Sequence, residues 1–214
     1  MSDSWHNNIK NKNREEIIAA ARELFLKHNF INVNIKDVCT LAGVSRVTFY
    51  KHFQSIDELI FEVQIDILVN MDKAIKTSSE AETCGKDKLK SMLYAWINFA
   101  KSNEDQIRYI TLFDIYYGAY NSNEQLKSNF DKFVSVSNKD FIDKIISDGI
   151  KDGSFKDDID PVNTAYCIFQ TIMGVLQRMS CARIPNIGKE VTYDDIAFSV
   201  ANMIINSIKR EDKN

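Results

Sequence analysis

From Ile17 onward, apolar residues recur every three or four positions, and no sustained alternation of period two interrupts them, so the chain is predicted to be all-α. Ile17, Ala21, Leu24, Phe25 and His28 share one face of a first helix, and Asn29 stands where a left-handed C-terminal cap belongs. Asn34 is placed to cap a short second helix running from Ile35 to about Ala42, with Val33 and Val38 at the spacing of a hydrophobic staple. Gly43 permits a tight turn and Val44 turns inward. Ser45 then caps a third helix over 46–52, with Val44 and Phe49 again at staple spacing. Two short helices joined by a turn of about three residues form a helix-turn-helix pattern.

Ser55 and Glu58 read as a capping box that opens a long helix with the apolar face Leu59, Ile60, Val63, Ile67 and Met71. Polar residues over 77–87 break it. Further helices are predicted over 88–102, 105–119 and 124–152, the last closed by Gly153. Asp160 and Pro161 start another, which ends in the loop around Pro185 and Gly188. Thr192 caps a final helix with Val191 and Ile196 as staple and Ile196, Val200, Met203, Ile204 and Ile208 on one face.

Composition narrows the class. The chain has 214 residues and is 44% hydrophobic, enough for a buried core, with only two prolines and seven glycines. Its most apolar stretch, 165–179, is interrupted by Gln170, Gln177 and Arg178, so it reads as a core helix and no membrane span is expected. The N-terminus lacks the apolar segment of a secretory signal, which predicts a cytoplasmic protein. Cys39, Cys84, Cys167 and Cys181 lie far apart and read as reduced thiols, with no metal or cofactor expected. The net charge of -3 hides an asymmetry: eight Lys/Arg against five Asp/Glu through Ser55, and nineteen against twenty-five beyond it. The basic excess is where a polyanion would bind.

The segments REEIIAAARELFLKHNF, VNIKDVCTLAGVSRVTFYKHF and QSIDELIFEV together resemble the N-terminal domain of the tetracycline-repressor-like (TetR) family of bacterial regulators. The likeness covers Arg14 to Val63: the Ile18, Ala21 and Phe25 face, Asp37-Val38, Ala42-Gly43-Val44-Ser45, Thr48, Tyr50 and His52-Phe53. Residues 149–161 (GIKDGSFKDDIDP) are similar to the family's link into its penultimate helix. The resemblance implies an N-terminal helix-turn-helix domain over 1–55, then a helical effector-binding and dimerisation domain over 56–214. It also implies a homodimer built on the last two helices and repression relieved by an effector acting through the long helix from Ile56. Three positions depart from the pattern: Asn29 replaces a glycine, Cys39 a small alanine, and Ile56 a lysine that reaches a DNA phosphate in the family.

The residues support DNA binding without the family name. A recognition helix offers short side chains at its N-terminal turn to the major groove and donors further along to phosphates. Arg46, Val47 and Thr48 suit the first task, with Arg46 as the reader of guanine through its bidentate guanidinium. Tyr50, Lys51 and His52 suit the second, and Asn34 and Ser45 sit at helix N-termini where backbone N–H groups meet phosphate. A generic basic helix would read as a solvated face. Here caps, turn glycine and staples agree in order.

For an effector pocket the aromatic-rich set Tyr94, Trp96, Phe99, Tyr109, Phe113, Tyr116, Tyr117, Phe169 and Met173 fits a mostly apolar cavity for a small hydrophobic or aromatic molecule. Each residue taken singly reads as ordinary core. Arg108, Asp114 and Arg178 are candidates to orient polar groups. An enzyme is not expected, because the three histidines lie in the N-terminal part and neither a phosphate loop nor a nucleophile elbow is present. The rival readings are a DNA-bound scaffold answering to a protein partner, and redox sensing through Cys84 or Cys167.

Overall fold

The computed structural model describes residues 2–119, 123–137, 139–182 and 191–210, with side chains over 12–118, 123–134, 141–182 and 191–210. Among these residues the chain is helical, as the periodicity requires: α1 (Ser2–His28), a 3-10 turn (Phe30–Asn32), α2 (Ile35–Ala42), α3 (Arg46–Tyr50), α4 (Ile56–Ser79), α5 (Gly85–Ser102), α6 (Glu104–Ala119), α7 (Glu124–Ser137), α8 (Lys139–Lys151), α9 (Pro161–Cys181) and α10 (Tyr193–Ile208). The helix expected over 124–152 is two. The first ends at Ser137 and the second begins at Lys139. The expected loop at Pro185 and Gly188 lies outside the described residues.

The chain folds as two compact units. One takes the chain through Leu68 together with Leu112–Phe130, and the other takes Val69–Thr111 and the chain from Asp131. The division at residues 55 and 56 drawn from the sequence is one of function along the chain; the units in space divide inside α4 and take part of α6 and α7 into the first.

In the first unit α1 packs against α2 and α3, and α2 against α3. Ile17, Ala21 and Phe25 of α1, Val38 and Cys39 of α2, Phe49 and Phe53, and Leu59, Ile60 and Val63 of α4 are all buried. His28, expected on this face, is exposed at the helix end. Asn29 has φ 64, as a glycine substitute should. Its ψ of 140 takes it outside the left-handed helical basin, so it turns the chain directly into the 3-10 turn and does not form the expected cap.

In the second unit α5 is the central helix, packed against α8, α9 and α10 and burying Leu89, Met92, Leu93, Trp96 and Ile97. Its N-terminus approaches α8 so closely that a Cβ on Gly85 would lie 2.3 Å from the Gly149 Cα, and one on Gly149 would lie 2.2 Å from the Phe155 ring. Asp152 fastens this crossing by accepting from the Gly85 N–H at 2.7 Å and the Ser154 N–H at 2.8 Å. Gly153 follows at φ 81 and α8 closes there. Asp160 caps α9 through the Asn163 N–H at 2.7 Å, with Pro161 in the first turn. Thr192 and Asp195 form a reciprocal box at the start of α10.

The buried row of α10 is Ala197, Ala201, Ile205 and Ile208. Of the apolar face expected from the sequence, Ile208 is buried in this row, while Ile196, Val200 and Ile204 are half-buried and Met203 is 69% exposed.

Candidate nucleic-acid interface

The two helices of the motif are fixed by their ends. Asn34 Oδ1 accepts from the Lys36 and Asp37 N–H groups at 2.9 and 3.2 Å, and the Asp37 carboxylate accepts from the Asn34 N–H at 3.0 Å. Gly43 adopts φ 67, ψ 24, which lets the Val44 N–H return to the Cys39 carbonyl at 3.0 Å and ends α2. Ser45 is extended, and its Oγ accepts from the Thr48 N–H at 3.0 Å. Helix α3 closes at Tyr50, earlier than the expected end at His52. The Lys51 and His52 N–H groups bond the carbonyls of Thr48 and Phe49 three residues back, tightening the last turn.

Phe49 and Phe53 anchor this helix from beneath, both fully buried with ring centroids 5.7 Å apart. The Arg14 guanidinium lies 5.3 Å from the Phe53 centroid and pairs with Glu62 at 2.8 Å, tying α1 and α4 to the end of the motif. The outward side is then fixed by geometry. Val47 is 69% and Tyr50 55% exposed, Arg46 and Lys51 are also exposed, and Thr48 and His52 are half-buried. An outward valine in the first turn fits contact with a thymine methyl, and the adjacent Arg46 fits a guanine edge. Tyr50 is held edge-on to Phe49 at 5.5 Å, so its ring direction is set by the core.

Two predicted contacts are partly engaged within the chain. The Asn34 and Ser45 side-chain oxygens serve as caps, which leaves the Asn34 amide nitrogen and the Ser45 or Thr48 hydroxyl proton for a phosphate. Ile56 is half-buried at the first position of α4 and supplies no donor. Lys36, exposed in the first turn of α2, is a cation missed in the sequence reading; its signal was its place just after a capping asparagine. Glu58 accepts from the Gln54 N–H at 2.6 Å, one residue before the partner expected of a capping box with Ser55. Burial pushes the Cys39 thiol above its ordinary range, partly opposed by nearby Arg46.

The nine aromatic-set residues are divided between the two units. Phe113, Tyr116 and Tyr117 stack with Phe30, Phe61 and Phe130 inside the first unit. In the second unit Tyr94 packs on Phe198, Trp96 on Phe169, and Tyr109 and Met173 are buried. Tyr94 and Phe99 line an open groove of about 680 Å³ with Ser78, Glu82, Lys90 and Asn98. A smaller cleft of about 290 Å³ is lined by Ile97, Ala100, Leu176 and Met179, with Glu104, Tyr193 and the Lys101–Asp194 ion pair at its polar side. Of the orienting candidates, Arg108, Asp114 and Arg178 are all exposed. Among the described residues no helix is long and apolar enough to cross a membrane, and no three His, Cys, Asp or Glu side chains are placed to hold a metal ion.

Residues 17–63, the stretch that builds this motif, match the model of the bacterial regulatory proteins of the tetR family. That stretch is of the TetR type. The chain's curated relatives include the transcriptional repressor KstR2 of Mycolicibacterium smegmatis, 25% identical over 151 residues that make up 69% of each chain. The transcriptional activator FasR of the same organism is 23% identical over 101 residues, 47% of this chain and 46% of FasR, so the match spans under half of that relative's length. The fatty acid degradation regulator FadR from Bacillus halodurans shares the fold at 15% identity, with a TM-score of 0.68 over 90% of this chain and 94% of FadR. These likenesses extend the TetR-like fold through both units.

Proposed function

We propose that this chain is a cytoplasmic transcriptional regulator of the TetR family that binds a palindromic DNA operator as a homodimer and represses the adjoining genes until a small hydrophobic or aromatic effector releases it. The observation that carries the reading is the exposure of Arg46, Val47, Tyr50 and Lys51 on a helix capped at its start and pinned by buried Phe49 and Phe53. One such helix covers few base pairs, and pairing two about a twofold axis is the physical route to adequate specificity. The half-buried and exposed apolar side chains of α10, with the outer side of α9, supply the surface for that pairing.

The effector class is supported by two features. The 290 Å³ cleft has apolar walls and an ion pair at its edge, at the small end of the range for ligand sites. KstR2 of Mycobacterium tuberculosis is described as a ketosteroid regulator and FadR as a regulator of fatty acid degradation, both apolar chemistries. The effector acts by binding the DNA-free conformation more tightly than the DNA-bound one, and DNA must weaken effector binding by the same factor. The small size of the cleft favours a second reading, a DNA-bound scaffold that answers to a protein partner. Titrating steroids and fatty acyl compounds into the protein–operator complex separates the two. Release of DNA by one of them supports the effector reading, and no binding by any supports the partner.

A further inference from the structure

Helix α9 buries one side through Ala165, Ile168, Ile172, Met173 and Leu176. Its opposite side carries Cys167, Gln170, Gly174, Arg178 and Cys181, all exposed in the single chain. Their spacing is three, four, four and three residues, which keeps them on one helix face and reads the same from either end. Gly174 is the centre. A Cβ placed on it would meet no heavy atom of the described residues within 4 Å, so nothing among them requires glycine there. A glycine within a helix costs about 1 kcal/mol relative to alanine. Close approach by a second backbone accounts for that sacrifice.

The symmetry identifies the second backbone as another copy of this chain. In an interface with a twofold axis, residue i meets j and j meets i. With two α9 helices antiparallel and the axis at Gly174, Cys167 faces the partner's Cys181, and Gln170 faces the partner's Arg178. Thiol meets thiol and an amide oxygen meets a guanidinium. We infer that two copies pair through α9 in this register and that Cys167 of each forms a reversible disulfide site with Cys181 of the partner subunit, two sites per dimer. The inference rests on the homodimer reading above and adds its register and a redox chemistry.

The distances agree. Each cysteine lies seven residues from Gly174, about 10 Å along the helix. With axes about 8 Å apart crossing at about 20°, facing Cα atoms at that height are about 4–6 Å apart, inside the disulfide range; a crossing of about 50° puts them about 8 Å apart, outside it. Within one chain the two cysteines are separated by about 21 Å of helix and cannot join. The oxidant is a small disulfide such as glutathione disulfide. The Cys167 thiolate attacks it and expels one glutathione thiolate; the partner's Cys181 thiolate then displaces the second. Two cysteine thiols are oxidised, one disulfide is reduced to two glutathione thiols, and the protons pass to them.

The test uses the full chain, with sedimentation under reducing conditions to read oligomeric state and non-reducing electrophoresis after treatment with glutathione disulfide to read the link. The expected result is a dimer in both redox states, a covalent dimer only when oxidised, and no covalent dimer from Cys167→Ser or Cys181→Ser alone. Mixing the two single variants should restore a covalent dimer, since each supplies the cysteine the other lacks. Cys84→Ser should behave as the unaltered chain. A covalent dimer from either single variant alone, or a sedimenting dimer that never links, overturns the register and leaves the homodimer standing. A monomer by sedimentation overturns both.

Discussion

Tyr117 of α6 donates a hydrogen bond of 2.8 Å to Asp57 Oδ1 in the first turn of α4, directly after the recognition motif. The phenol is buried among Phe30, Phe61 and Phe113, so its hydroxyl has this carboxylate in place of water. Tyr117→Phe should lower stability by about 1 kcal/mol, or about 2–4 °C in Tm for a chain of this size, with the helical content unchanged. Differential scanning calorimetry checks it.

The same pair sets an alkaline limit. Burial first, and then the hydrogen bond and charge of Asp57, raise the Tyr117 phenol above its ordinary value. The folded chain therefore holds that proton where the unfolded chain releases it. Its contribution is complete below about pH 10 and is lost as pH rises above that value. Thermal melts between pH 8 and 11 should show a steeper alkaline decline for the unaltered protein than for Tyr117→Phe.

Asp152 works in the opposite direction. Burial raises its pKa, but hydrogen bonds from Ser154 and from the Gly85 N–H outweigh that and hold the carboxyl below its ordinary range. Its contribution is present above the unfolded carboxylate value of about 3.9 and is lost as pH falls through the lower folded value. Asp152→Asn should flatten the loss of Tm between pH 5 and 2.5. An unchanged acid limb would show that the Gly85 and Gly149 crossing does not depend on this charge.

Asn29 has a positive φ with an extended ψ, a conformation open mainly to glycine. Releasing that strain by Asn29→Gly should stabilise the protein by about 1 kcal/mol, while Asn29→Ala should destabilise it by a similar amount. Chemical denaturation of the two variants tests both signs at once.

On the function proposed above, Arg46 and Lys51 divide the work on DNA. Arg46→Ala should relax base preference at one position per half-site by about 1–3 kcal/mol, whereas Lys51→Ala should weaken all sequences alike and lower the salt slope by about 1 per half-site. Fluorescence anisotropy across a salt series with single-base operator variants measures both. The reverse pattern would show the two roles exchanged.

The motif was readable because its signals are local. Asn34, Gly43 and Ser45 act within three or four residues of themselves, and Val38 and Phe49 follow from helical period. The structure returns each where the sequence placed it. The buried row of α10 was not fully legible because its alanines are small. Ala197 and Ala201 are buried since a close helix crossing selects small side chains, and Met203 lies outside it. The neighbours of each aromatic residue were not legible in the sequence. Composition says that Phe113, Tyr117 and Trp96 are buried, but only long-range packing decides that the first two join Phe30 and Phe61 while the third joins Phe169. Lys36 was missed because a lysine in a first turn looks like a solvated charge until its exposure beside the motif is known.

The central claim, that α3 reads an operator in the major groove as one half of a dimer, is tested most directly by selecting bound duplexes from random DNA with the full chain and with Arg46→Ala. The expected result is a twofold-symmetric sequence with half-sites about 10 base pairs apart or a multiple of that, and relaxation at one symmetric pair of positions in the variant. No enriched sequence, or an enriched sequence that Arg46→Ala and Val47→Ala leave unchanged, would contradict it.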